Sequence, residues 1–245
     1  MKRGKNIVDL EHKLVNGVVL ATSDWHVPFQ DDKYVQSFIK YAKKKQPDTI
    51  ILNGDMLDFF MLSKFTKGEG RNPYQEITIL RKYLQQLRAA CPKSVIFYII
   101  GNHETRLERY VLSKAPELQS LIEDVFTIVK TKDFNIHGCG SVLVNNTFIF
   151  KHGTLLGNKS GLSAIKEMEN AYMSGCSGHT HRAAKYIARK AGRKFVWLES
   201  GCGCSLEPEY MINPNWQQAL CEFVFEKGKL KHSKVLEVED GIILE

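Results

Sequence analysis

No stretch of this chain reaches the roughly 18 apolar residues that a membrane-spanning helix needs. Its basic opening, Met1-Lys2-Arg3-Gly4-Lys5-Asn6, leads into neither a long apolar core nor a small-residue cleavage site. A secretory signal is therefore not expected, and the expected location is the cytoplasm. Cys-x-x-Cys pairs are also missing. The six cysteines stand at 91, 139, 176, 202, 204 and 221, which reads as reduced, mostly buried thiols rather than a disulfide frame. Cys202 and Cys204 flank Gly203, but zinc ligands ordinarily have at least two residues between them. Repeats, low-complexity tracts and linkers rich in Pro, Gly and Ser are absent too. Residues 1–245 are expected to form a single domain.

What the chain does have is enough apolar material, 43% of 245 residues, to bury a core without help from disulfides or metal. Its net charge of +7 and sequence pI of about 9.0 favour anionic partners, nucleic acid among them. Much of that excess is dispersed. Lys43-Lys44-Lys45, for example, suits the end of a helix, where cations complement the dipole.

The hydrophobic pattern alternates between strand and helix. A strand-like run over 17–23 precedes a helix started by Asp31 and Asp32, with Tyr34, Phe38, Ile39 and Ala42 on one face, ended by Pro47. A short apolar strand over 49–52 follows. A second helix begins after Pro73, with Ile77, Leu80, Leu84 and Leu87 at helical intervals, and Pro92 stops it before a third strand over 95–100. This order implies parallel strands covered by helices. The region 107–125 is expected to be helical, broken at Pro116. A hairpin over 141–151 turns at Asn145-Asn146, a helix fits 162–172, and strands fit 186–189, 194–199, 219–225 and 234–238.

The polar residues that attract attention fall just after these strands. Asp24 and His26 follow the first, and Gly54, Asp55 and Asp58 follow the second. Gly101, Asn102, His103 and Glu104 follow the third. His152 and Gly153 end the hairpin, and Gly178, His179, Thr180 and His181 follow a short run ending at Cys176-Ser177. Ligand sites in open α/β sheets lie at the carboxyl ends of strands. Carboxylate, imidazole and amide oxygen without thiolate suit divalent ions such as manganese, iron or zinc. Two such ions roughly 3.5–4 Å apart can clamp a phosphate and activate a water. Singly, an Asp after a strand is usually a turn or N-cap residue, and a loop histidine is usually not a ligand. Five clusters in order, each after an apolar strand, make that reading weak.

Together, Asp24-x-His26, Gly54-Asp55-x-x-Asp58, Gly101-Asn102-His103-Glu104, His152-Gly153 and Gly178-His179-Thr180-His181 resemble the full signature of the calcineurin-like metallophosphoesterase superfamily, and in particular its small bacterial or phage-type members. The resemblance implies an α/β fold, a four-layer α/β/β/α sandwich of two mixed sheets flanked by helices, with the strands after residue 184 completing the second sheet. It implies a dinuclear centre in which Asp24, His26 and His181 hold one divalent ion, Asn102, His152 and His179 hold the other, and Asp55 bridges. Manganese is the expected metal, with iron, zinc or nickel as alternatives. It also implies His103 as general acid beside the substrate, oriented by Asp58.

The function so implied is hydrolysis of phosphate esters by metal-activated hydroxide. Lys64, Arg71, Arg106 and Arg182 are candidate phosphate contacts, with Lys67 a further cation of the segment 63–72, which should overhang the site. Trp25 and Phe29 are candidate stacking surfaces, and 207–216, with Tyr210, a further rim. With the basic pI these features favour a phosphodiesterase acting on nucleotides or nucleic acid. The alternatives are a phosphomonoesterase acting on nucleotides or phosphoproteins and, more remotely, a non-catalytic scaffold with the same fold.

Overall fold

Local chemistry sets the helix ends where the sequence signals them. In the computed structural model, which describes residues 7–63, 72–207 and 213–245, the Asp31 carboxylate accepts the Tyr34 amide at 3.1 Å and caps a helix. Asn72 does the same for the Tyr74 amide at 2.8 Å, with Pro73 as first helical residue, a position where its missing N–H costs nothing. In chain order the first elements are β1 (Asp9–His12), β2 (Gly17–Thr22), α1 (Asp32–Lys45), β3 (Thr49–Leu52), α2 (Pro73–Ala90) and β4 (Val95–Ile99). Next come α3 (Arg106–Lys114), α4 (Val125–Val129), β5 (Ile136–Cys139), β6 (Ser141–Val144), β7 (Phe148–Lys151) and α5 (Leu162–Ala171). The chain ends with β8 (Ser174–Ser177), β9 (Ala183–Lys190), β10 (Arg193–Ser200), β11 (Ala219–Glu226), β12 (Lys229–Glu239) and β13 (Ile242–Ile243).

Two mixed sheets result, one of six strands in the order β1-β6-β7-β8-β10-β9 and one of seven in the order β13-β12-β11-β2-β3-β4-β5. In the larger sheet β2, β3, β4 and β5 run parallel, while β11 pairs antiparallel to β2. In the smaller, β7, β8 and β10 run parallel, and β9 returns antiparallel beside β10. Side chains alternate across each strand, so Val19, Ala21 and Ile51 pack between the sheets against Phe148, Phe150 and Leu198. Leu20, Ile50 and Leu52 face outward under Phe38, Leu80, Leu84 and Leu87 of α1 and α2. On the far side, Ala164 and Met168 of α5 cover Trp197. Four layers follow, as the resemblance implies.

Two expectations need correction. The strands after residue 184 do not all complete one sheet: β9 and β10 join the smaller sheet, and β11, β12 and β13 join the larger. The 107–125 region is shorter in helix than expected. α3 stops at Lys114, residues 116–121 form a 3₁₀ turn, and α4 begins only at Val125, because Pro116 cannot continue the hydrogen-bond ladder. Among the described residues, no helix is long and apolar enough to cross a membrane.

The parallel strands aim their carboxyl ends at one edge. The turns after β2, β3 and β4 therefore meet those after β7 and β8.

Candidate metal centre

Those turns are unusually bent. Asp24, His26, Asp55, His179 and His181 all have φ between 50° and 72°, a left-handed conformation that non-glycine residues adopt at a cost of about 1 kcal/mol or more each. The surrounding fold enforces the strain. The Asp24 and His26 amides bond to the carbonyls of Gly54 and Asp55 at 3.0 and 2.9 Å, and both Asp24 carboxylate oxygens accept the His179 amide, at 3.2 and 3.0 Å. Asp55 Oδ1 accepts the His103 amide at 2.8 Å. A side chain at Gly101 would collide with the Asp55 carboxylate, and one at Gly178 with that of Asp24. These glycines are the clearance that lets the turns close on one another.

The side chains converge in two groups. In one, His181 Nε2 lies 3.3 Å and His26 Nε2 3.6 Å from Asp24 Oδ1, and the two imidazole nitrogens stand 2.9 Å apart. In the other, His152 Nε2 lies 3.1 Å from Asp55 Oδ2 and 3.2 Å from Asn102 Oδ1, with His179 in the same cluster. Asp55 Oδ2 joins the two, being also 3.9 Å from His26 Nε2.

Proton bookkeeping tests whether such a set fits cations. His152 Nδ1 faces the Asn53 carbonyl at 2.9 Å, so it donates there, and Nε2 of the neutral ring offers a lone pair. That lone pair then meets a carboxylate and an amide oxygen, all acceptors. His26 repeats the pattern, its Nδ1 directed at Asp58 Oδ2 at 2.9 Å and its Nε2 at His181. Acceptors so close repel one another unless a positive charge stands among them. Burial disfavours that charge, yet Asp55 raises the His152 imidazole to about 10. Against the same burial, Asp24 and Asp58 raise His26. Burial likewise works against Asp24 and Asp55, but neighbouring imidazoles, His181 first for Asp24 and His152 first for Asp55, hold both carboxyls below the usual range. A proton on the imidazoles or a metal ion among the acceptors relieves this crowding, and the donor set fits divalent metal.

His103 sits at the rim, 3.8 Å from Asp55 Oδ2 through Nε2. Asp58 Oδ2 lies 3.1 Å from its Nδ1, as expected, but the same oxygen also serves His26. Asp58 orients two imidazoles rather than one. Arg106 differs from its expected role as a phosphate contact. Its guanidinium donates to Asp58 Oδ1 and O at 2.7 Å each and reaches His103 Nε2 at 3.0 Å. Arg182 donates to the Gly157 carbonyl at 2.7 Å. Trp25 is fully buried, donates to Thr22 and packs against Phe38 and Tyr83, so it offers no stacking face. Phe29 packs its ring against Phe60 at 5.5 Å. Lys64, Lys67, Arg71 and Tyr210 lie outside the described residues.

Sequence reasoning missed the supports of the turns. Glu104 is the hub: its carboxylate accepts the amides of Asp55, Met56, Leu57 and Gly101 and the Tyr98 hydroxyl, at 2.7–3.2 Å. Its place in Gly101-Asn102-His103-Glu104 was the available signal. Glu167 fixes the turn after β7 through the Thr154 and Leu155 amides, 2.6 and 2.8 Å away, and nothing in the sequence marks it. Cys204 Sγ stands 3.8 Å from His181 Nδ1, and Trp216 covers the same ring at 4.2 Å. Burial pushes the Cys204 thiol up, which disfavours its thiolate form.

Comparison with known proteins agrees with this geometry. The phage relatives include the Gene 54 protein of Mycobacterium phage L5, 29% identical over 219 residues covering 81% of this chain and 85% of that protein. Its counterpart in phage D29 is 30% identical over 178 residues, 67% and 69% of the two chains. Among solved structures, Vps29 of Chaetomium thermophilum superposes with a TM-score of 0.53 at 11% identity, covering 91% of each chain. Vacuolar Protein Sorting 29 of Cryptosporidium parvum gives 0.51 at 14%, covering 94% and 95%, and at such identity these two speak for the fold alone. The calcineurin-like phosphoesterase model matches residues 17–183, a span that begins at β2 and ends just past His181, so every turn that meets at the sheet edge lies inside it and the chain belongs to that family.

Proposed function

We propose that this chain is a dinuclear metal-dependent phosphodiesterase acting on nucleotides or nucleic acid. Asp24, His26 and His181 hold one ion, and Asn102, His152 and His179 hold the other, with Asp55 shared. The observation that carries this reading is the crowding of acceptors, His152 Nε2 with Asp55 Oδ2 and Asn102 Oδ1 at 3.1 and 3.2 Å, which a cation resolves. When bound, a pair of divalent ions lowers the pKa of a water and takes up phosphoryl charge.

The remaining steps belong to the chain's own residues. Asp58 holds His103 through Nδ1, leaving Nε2 on the open side to carry a proton to the leaving oxygen. The Arg106 guanidinium, fixed on Asp58 at 2.7 Å and reaching that Nε2 at 3.0 Å, holds the imidazole in place at the rim. Because Asp58 neutralises Arg106 at 2.7 Å, the rim adds little net positive charge of its own. A singly charged diester suits such a rim better than a doubly charged monoester. The net charge of +7 points to the same anionic substrates. A single domain and a cytoplasmic location belong to the same reading, and manganese is its first choice of metal.

The test is turnover of bis-(p-nitrophenyl) phosphate against the mono-ester, with metal content measured on the same sample. Manganese-dependent cleavage favouring the diester is expected. Faster mono-ester cleavage would make the chain a phosphomonoesterase, and two bound ions without turnover of either would leave the scaffold reading.

A further inference from the structure

Far from the centre, the chain gathers its dispersed cations into one place. A groove of about 730 Å³ opens at the opposite end of the smaller sheet, lined by Lys185, Arg193, Lys194, Lys229, Lys231 and His232. These residues come from β9, β10 and β12, so the charge is assembled by folding rather than by one basic run. No Asp or Glu is among the described residues lining the groove. The nearest compensation is Glu226, 3.5 Å from Lys231 on the surface, and an exposed pair of that kind neutralises little. Lys185 shows the effect of this crowding, since burial first and Lys194 second push its amine down. Like charges brought together from separate strands repel one another, and an anionic partner removes that cost.

The groove also carries an aromatic ring. Tyr172 lines it from the end of α5, in the left-handed conformation at φ 52°, and is 87% exposed. A large ring held in solvent among lysines is what unpaired bases stack on, while the amines follow the phosphates. The Phe195 side chain of β10 adds an apolar patch to the lining. From Arg193 at the groove to Ser200 near the centre, β10 advances seven residues, roughly 23 Å at about 3.3 Å per residue. A small diester in the centre does not reach that far, whereas a polymer of several nucleotides does.

We infer that this groove is a second binding site, taking single-stranded nucleic acid by its phosphates and by one base stacked on Tyr172. The inference gives the phosphodiester reading a polymeric substrate, and it rests on that reading only for what the bound strand is used for. Binding itself is measured separately from catalysis.

The experiment is fluorescence anisotropy of a labelled, cleavage-resistant phosphorothioate 20-mer against the full chain, as a function of salt. The double reversal Lys194→Glu with Lys229→Glu is expected to weaken binding at least tenfold and to reduce the slope of log affinity against log salt by about 1–2, as lost phosphate contacts dictate. Tyr172→Ala should weaken it about tenfold without changing that slope. Both variants should cleave bis-(p-nitrophenyl) phosphate as the parent does, and unchanged melting temperatures exclude misfolding. Undiminished affinity in the double reversal overturns the inference. So does duplex DNA of equal length, or phosphatidylserine vesicles, binding at least as tightly as the single strand. If the parent binds the strand but cleaves no diester, the groove stands and the catalytic reading falls.

Discussion

The two halves of the centre are built from similar side chains but enclosed differently. Asp24 and His26 are at most 1% exposed and His181 8%. All three have left-handed backbone, Cys204 lies behind His181, and Trp216 covers its ring. In the other half His152 is buried, but Asn102 and His179 are partly exposed, and of these three only His179 is strained. A closed, strained site is preorganised and slow to open, whereas a half-open one meets solvent and substrate. On the proposed assignment, this contrast predicts that the first half exchanges its ion more slowly than the second.

The most severe way to break this comparison is to remove what the halves share. Asp55→Ala should empty both sites and cost several kcal/mol of transition-state stabilisation, about 10³-fold or more in kcat/KM. Plasma mass spectrometry of the dialysed protein reads the ions directly. Retention of both would show that Asp55 does not bridge.

Splitting the halves comes next. His179→Ala should leave one tightly held ion per chain after dialysis, and His181→Ala should lose the slowly exchanging ion of the parent. Chelator-driven release, followed in time, is expected to be biphasic in the parent and to lose its slow phase in His181→Ala. A single phase in the parent would mean that burial does not set the exchange rate. Smaller again is His103→Ala, which touches neither ion. It should lower turnover about 10²–10⁴-fold with metal content unchanged, and Arg106→Ala should reproduce part of that loss. Full activity in His103→Ala would remove it from the proposed chemistry.

These contrasts also mark what was legible in the sequence. The strand-end residues announce themselves because each follows an apolar run that cannot be misplaced by much. β3 was readable at Thr49–Leu52 for that reason. β1 (Asp-Leu-Glu-His) and β5 (Ile-His-Gly-Cys) were not, since both are sheet-edge strands without an apolar run. The division of the last strands between two sheets was hidden because pairing partners are chosen by long-range contacts that a local pattern does not encode. Within the site, the convergence of Asp24, Asp55, His152 and His181 was anticipated. The commitment of Arg106 to Asp58 was not, because an arginine after a histidine reads the same whether it faces substrate or a buried carboxylate. Glu167, Glu199 and Glu76 were invisible for a related reason. A glutamate in a helix or near a strand end is ordinarily solvated, and only the fold reveals that Glu199 of β10 instead holds the Gly161 amide at 2.5 Å.

The supports repeat the asymmetry of the halves. Glu167, behind the half-open side, pairs with Lys151 at 2.5 Å. Glu76, behind the Asp58 turn of the closed side, accepts the Phe59 amide at 2.6 Å, and among the described residues no cation lies within ion-pair distance of it. Burial, opposed by the Phe59 amide and helped by Asp58, pushes Glu76 up to about 7. An unfolded glutamate ionises near 4.5. The folded state therefore keeps a proton that the unfolded chain has already lost, and stability falls as pH rises from about 4.5 to about 7, then levels off. Glu76→Gln keeps the acceptor and removes the ionisation. It should flatten that dependence and, relative to the parent, gain at most about 3 kcal/mol at pH 8 while gaining nothing near pH 4.5. Urea denaturation midpoints of both proteins at pH 5, 6, 7 and 8 measure the difference. Parallel curves across that range would mean that Glu76 ionises normally in the fold, and that the closed half needs no uncharged carboxyl behind it.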